Sequence, residues 1–348
     1  MRQIRRPRVW PPTIAHPGGR GYEHARQQRR ESALRQLFPK SWRANDVRGV
    51  LRATCGHSCA YCLDLIGRTG EDVEHYRPKD KYWWLAYSLD NYLSSCRRCN
   101  SSRKIDAFPL RDESMRARDP RASLASEERL LLDPVADDVE AILLIDVLGA
   151  ERVAYRYAVA RTADGGLAEQ GQATIGLFHL NDDVELAKAR KNAVAEAVRG
   201  LASDDAEARG HARRRMSRFE PFGGAVRSVV AQLNPTLLPQ PEEELHWFVG
   251  DLLDLLDLVD VTERPDRKII DVTRFALAAL WRDPPAASAS DIERRLELAG
   301  RQSEIRPYYE LLAKPGPVGQ AGTIGRARRP GKPKRGGDEA SAGPGRKS

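Results

Sequence analysis

Two cysteine pairs, Cys59-Ala-Tyr-Cys62 and Cys96-Arg-Arg-Cys99, lie 33 residues apart and constrain this chain more than any other feature. Each Cys-x2-Cys knuckle turns two sulfurs toward one point, and two knuckles supply the four thiolates of a tetrahedral structural zinc. Such a shell is closed, so the ion would stabilise the fold and leave the chemistry to other groups. The fifth cysteine, Cys55, stands four residues before Cys59 and reads as a substitute ligand or as a small buried residue. Five cysteines in 348 residues are too few for a disulfide scaffold, which points to a reducing compartment. No segment approaches the roughly 20 apolar residues of a membrane span, and the Arg-rich start lacks the apolar stretch of a signal peptide. The expectation is a cytoplasmic protein with no membrane association.

Charge is distributed unevenly. Of the net +8, residues 1–40 carry +8, 41–111 carry +4, 112–313 carry −11 and 314–348 carry +7. The front and the tail suit a polyanion, whereas the long middle would be repelled by one. Arg2–Arg20 reads as an extended arm or as a disordered terminus, and Tyr22–Phe38 as a helix closed by Pro39. Gly67–Gly70 is a turn signal between short strands. The apolar run AILLIDVLGA at 141–150 and the alternating VAYRYAVA at 153–160 predict a strand pair turning at Gly149–Glu151, with a loop at Ala163–Gly166. Apolar periodicity predicts helices after Asn181 through Arg199 and near 242–260, 268–282 and 290–313. In the second of these, DLLDLLDLVD at 251–260 reads as a core-facing face with an acidic outer stripe. Beyond Pro315, Gly, Pro, Arg and Lys dominate, and the tail is expected to be disordered.

Between the cysteine pairs stands Val73-Glu-His-Tyr-Arg-Pro-Lys79, then Asn91, with Asn100 directly after the last cysteine. Glu74-His75, Asn91 and Asn100 resemble, in order and approximate spacing, the motif of HNH nucleases. That resemblance implies an α+β fold: a small zinc-stabilised ββα-metal core, followed by a mixed segment and a mainly α-helical C-terminal domain. It also implies roles. His75 would be the general base, a task for which imidazole suits because its ordinary pKa lies near neutrality. Glu74 and Asn100 would hold a catalytic divalent cation, Mg2+ or a similar ion, through hard oxygen ligands. Asn91 would brace the hairpin loop without touching substrate. Arg77, Lys79, Arg97, Arg98, Arg103 and Lys104 surround these positions and would clamp phosphates, although solvated surface is the usual fate of such residues.

The segments HYRPKDKYWWLAYSLDNY, CNSSRKIDAFPL, LLLDP and TIGLFHLN extend the resemblance over roughly residues 45–195. They look like HNH proteins similar to the nuclease subunit of the Septu anti-phage defence system, also found with some retrons. In that family the nuclease works with an ABC/SMC-like ATPase, so the implied partners are DNA and such an ATPase, for which the acidic middle is a docking surface. One departure stands out: Arg103 occupies the place where the family usually has lysine, with Lys104 next to it, which leaves open which cation fills that helix position. The expected organisation is a basic arm and helix (1–44), the zinc-bound HNH domain (45–111), a strand pair plus helix extension (112–200), an acidic helical domain (201–314) and the basic tail (315–348). The rival expectations are a non-catalytic zinc-containing nucleic-acid-binding protein and an interaction subunit whose nuclease site is vestigial.

Overall fold

A computed structural model describes residues 4–5, 8–15, 40–66, 70–146, 155–160, 163–262 and 266–312, all within one compact unit. The expected helix at Tyr22–Phe38, the turns at Gly67–Thr69 and Gly149–Glu151 and the tail beyond Pro315 lie outside the described residues. The fold is mixed α+β and mostly helical. No described helix is long and apolar enough to cross a membrane.

The described residues of the expected N-terminal arm are packed, with Ile4, Val9 and Ile14 buried and Thr13 donating to Asp46; helix α1, Asn45–Cys55, follows with Val47, Val50 and Leu51 buried. It then forms an antiparallel hairpin of β1, Glu71–His75, and β2, Tyr92–Cys96, with Glu74 opposite Leu93 and His75 opposite Tyr92. A one-turn π-helix, Arg98–Lys104, follows directly. Because strand side chains alternate between faces, the hairpin is shared by two cores. Val73 and Tyr92 join a core built with α1 and the C-terminal helices. Tyr76 and Leu93 join another, built on the cysteine knuckles and the middle of the chain.

The second hairpin pairs β3, Leu143–Asp146, with β4, Arg156–Val159, as the alternating pattern predicts. Helices α2 (Gly165–Leu177), α3 (Val184–Leu201), α4 (Ala206–Arg214) and α5 (Gly223–Leu233) complete the middle. Asp164 caps α2 and Asp183 caps α3, each accepting a backbone N–H three residues on. The C-terminal part holds α6 (Pro241–Asp260) and α7 (Arg267–Arg282). In α6, Leu245, Phe248, Val249, Leu252 and Leu256 are buried and Asp254, Asp257 and Asp260 are exposed, the expected split of faces.

The single helix expected over 290–313 is instead two, α8 (Ala289–Leu298) and α9 (Gln302–Leu311). Gly300 takes φ +67°, and Arg301 N–H returns to Leu296 O, the left-handed reversal that ends a helix. The C-terminal helices are fastened to the front of the chain through α1 and α7. At Gly49 a Cβ would stand 2.2 Å from the Phe275 Cβ and 2.9 Å from Val272 O, so only glycine permits this approach.

Candidate metal centre and the hairpin beside it

The first knuckle is built by backbone. Ala60 N–H donates to Ser94 O on β2, Cys59 N–H to Asp64 O and Leu63 N–H to Cys59 O. The reversal puts Leu63 at φ +63°, an uncommon conformation for a branched residue. Leu63 is held there by burial and by Phe222, whose N–H donates to its carbonyl. The second knuckle joins the end of β2 to the start of the π-helix. The sulfurs of Cys59, Cys62, Cys96 and Cys99 lie within 4.8 Å of one another, and all four residues are buried. Cys62 and Cys96 are 3.8 Å apart. Zinc bonds of about 2.3 Å in a tetrahedron imply sulfur separations of about 3.8 Å. The cluster can therefore hold a metal ion, and zinc suits four thiolates. Cys55 is buried outside it.

This clip joins hairpin to π-helix. On the hairpin face toward that helix, Asp72 accepts from Ser101 at 3.0 Å and Glu74 meets Lys104 at 2.6 Å. Both Glu74 and Lys104 are buried. Tyr61 lies 3.5 Å from the same Glu74 oxygen. Lys104 also donates to His75 O at 3.0 Å. Burial pushes the Glu74 carboxyl up from its ordinary value, and the Lys104 ammonium opposes that rise. Asn100 lies about one turn before Lys104 on the same π-helix and is half-buried.

His75 points to the opposite face. Its Nε2 lies 2.9 Å from Ala86 O, and its ring meets the edges of Trp42 and Tyr92 at 4.9 and 5.0 Å between centroids. A carbonyl can only accept, so Nε2 carries the hydrogen and Nδ1 carries the ring's lone pair. Burial lowers the His75 pKa to about 4, which keeps the ring neutral at physiological pH.

Asn91 ties the loop between the strands. Its Oδ1 accepts from Arg77 N at 2.8 Å, and its Nδ2 donates to Arg77 O at 2.8 Å and to Leu85 O at 3.4 Å. The main chain adds Tyr76 N–H to Asn91 O. The side chain thus holds both strand ends in register with the segment that carries Ala86.

The cations expected around the motif divide into two groups. Arg77 pairs with buried Glu127 at 3.1 Å, and Arg98 pairs with Asp183 at 2.8 Å. Arg103 pairs with Asp183 too and donates to Phe178 O at 2.5 Å, while Lys104 is closed on Glu74. Arg97 is exposed and Lys79 half-buried, with Asp80 at 3.5 Å. Sequence reasoning missed Asp183 and Glu127, the carboxylates that receive these arginines. Asp183 sits before an apolar-periodic stretch as a helix cap, a visible signal; Glu127 had none.

Together these features define a mixed α+β protein in which a buried four-cysteine cluster clips a β-hairpin to a π-helix. Among known proteins, the chain is similar to the Septu protein PtuB of Bacillus mycoides (strain KBAB4), 38% identical over 116 residues. The match covers 29% of this chain and 39% of that relative, so the chain spans about two fifths of the relative's length. No family model matches the chain, and no solved structure does.

Proposed function

We propose that this chain is the effector nuclease of a Septu-type anti-phage defence system and hydrolyses DNA phosphodiester bonds at an HNH-type site. The carrying observation is His75. Its Nε2 is anchored on Ala86 O, which fixes the ring and makes Nδ1 the nitrogen that can accept a proton. Asn91 sets the loop that supplies the anchoring carbonyl. The similarity to the Septu protein PtuB supports the defence role.

In this reading Glu74 and Asn100 would hold a divalent cation such as Mg2+. What supports the reading is the donor set, a carboxylate and an amide oxygen; in this structure the positive charge at Glu74 is supplied by the Lys104 ammonium at 2.6 Å. When bound, such an ion neutralises charge on the scissile phosphate and stabilises the leaving oxygen. His75 would take the proton of the attacking water at Nδ1, which requires the loop carrying Ala86 to shift, because the hairpin turns His75 to the face opposite Glu74. Exposed Arg97 at one end of the hairpin and half-buried Lys79 beyond the other suit backbone phosphates. The four cysteines hold structural zinc. The partner is an ABC/SMC-like ATPase, and the exposed carboxylates of α6 offer it an acidic face.

A second reading, a non-catalytic zinc-containing interaction subunit, is favoured by the internal pairing of Arg77, Arg98, Arg103 and Lys104. One experiment separates the two. Wild-type and His75→Ala proteins with equal zinc content are incubated with plasmid DNA and Mg2+, with and without EDTA, alone and with the ATPase. Cleavage by wild type only, abolished by EDTA, supports the nuclease. Equal cleavage by both proteins, or none under any condition, sinks it.

A further inference from the structure

Lys104 is the last residue of the π-helix, and its side chain is aimed inward beneath the hairpin, 1% exposed. Its ammonium touches two groups that matter to the proposed site: Glu74 Oε1 at 2.6 Å and the carbonyl of His75 at 3.0 Å. A divalent ion such as Mg2+ must come within about 2.1 Å of a carboxylate oxygen. It cannot do so at an oxygen already held at 2.6 Å by an ammonium without severe like-charge repulsion. The pair also leaves no net charge at this point to attract a dication.

We propose that Lys104 is the resident cation of this site, holding Glu74 Oε1, and that a divalent ion takes that oxygen only when Lys104 leaves. The inference rests on the reading above for Glu74 as a cation ligand, and it names the residue that decides which cation the site holds. The local backbone offers a route for the exchange. Ile105 N–H bonds to Asn100 O five residues back, and Ile105 itself takes φ +52° with an exposed side chain. Ile105 is a β-branched residue in the left-handed region, a strain that rewinding the π-turn to an α-turn would relieve while changing the direction of Lys104.

The test is Mn2+ binding to the zinc-loaded full chain, followed by paramagnetic resonance of the free ion. Wild type is compared with Lys104→Gln, Lys104→Arg, Glu74→Gln and the double variant Lys104→Gln/Glu74→Gln. Lys104→Gln is expected to bind Mn2+ roughly a hundredfold or more tightly than wild type, the factor set by not having to break a buried ion pair. The double variant should lose that gain, and Lys104→Arg, which keeps the charge, should show none. A Lys104→Gln protein that retains zinc yet gains nothing overturns the proposal, as does a gain that survives Glu74→Gln. Should the Lys104 variants fail to retain zinc, wild type against Glu74→Gln decides. Micromolar Mn2+ binding that needs Glu74 refutes the proposal, and its absence below millimolar Mn2+ supports it. DNA cleavage is not measured, so failure of the nuclease reading and failure of this one are separately visible.

Discussion

Replacing Asn91 by alanine tests whether one buried amide sets the loop that aims His75. The change removes two bonds of 2.8 Å to the backbone of Arg77 and a longer one of 3.4 Å to Leu85 O. It leaves the N–H and C=O of Arg77 without those partners. An orphaned buried group costs about 1–3 kcal/mol. Arg77 is half-buried, so water can compensate in part, and about 2–4 kcal/mol in total is expected. For a chain of this size, that corresponds to a fall in Tm of roughly 3–6 °C. The assay is urea unfolding followed by circular dichroism, with zinc content measured on the same sample. The midpoint should fall at unchanged m, because the loss is local. Asn91→Asp should be no better, since a carboxylate keeps the acceptor for Arg77 N–H but faces two carbonyls without a donor. Asn91→Ala within about 0.5 kcal/mol of wild type would refute the brace, because that is the range of an uninvolved surface substitution.

Two further outcomes follow from the same region. The folded-state pKa of His75, about 4, lies below its ordinary 6.5, so between these values the unfolded chain binds the proton and the folded one does not. Stability therefore falls as pH drops from about 6.5 to about 4, by up to roughly 3 kcal/mol, relative to a His75→Asn variant. Matching pH profiles of unfolding for the two proteins would contradict the burial argument. In the metal centre, Cys96→Ala should lose zinc and much of its thermal stability, whereas Cys55→Ala should keep one zinc per chain by elemental analysis. Zinc loss from the Cys55 variant would place that thiol among the ligands.

What the sequence revealed is what short-range chemistry dictates. Two Cys-x2-Cys pairs carry their own turn geometry, and the sulfurs of all four meet within 4.8 Å. Helices α3, α6 and α7 and the paired strands β3 and β4 announced themselves by apolar period. Helix α2 did not, because its sequence GGLAEQGQATIGL is rich in the residue least suited to helices, and tertiary packing overrides that cost. Helix α1 was hidden for a related reason: Gly49 in its middle looks like a weakness until Phe275 is seen against it. Lys104 was misleading. By type a lysine next to arginines belongs to the surface, and only the fold brings Glu74 to it. Arg98 and Arg103 were read outward for the same reason, since their partner Asp183 lies some 80 positions away in sequence.

The contact at Gly49 has a bearing on how the protein can be cut and recombined. Val47, Val50, Val73 and Tyr92 owe their shelter to helices that begin at Pro241 and Arg267, far along the chain. A fragment ending after the π-helix would keep every residue of the motif and yet present one whole side of its hairpin to water as a greasy, adhesive surface. Grafting this site onto another scaffold would thus require importing the helix that carries Phe275, or rewriting the flank it covers.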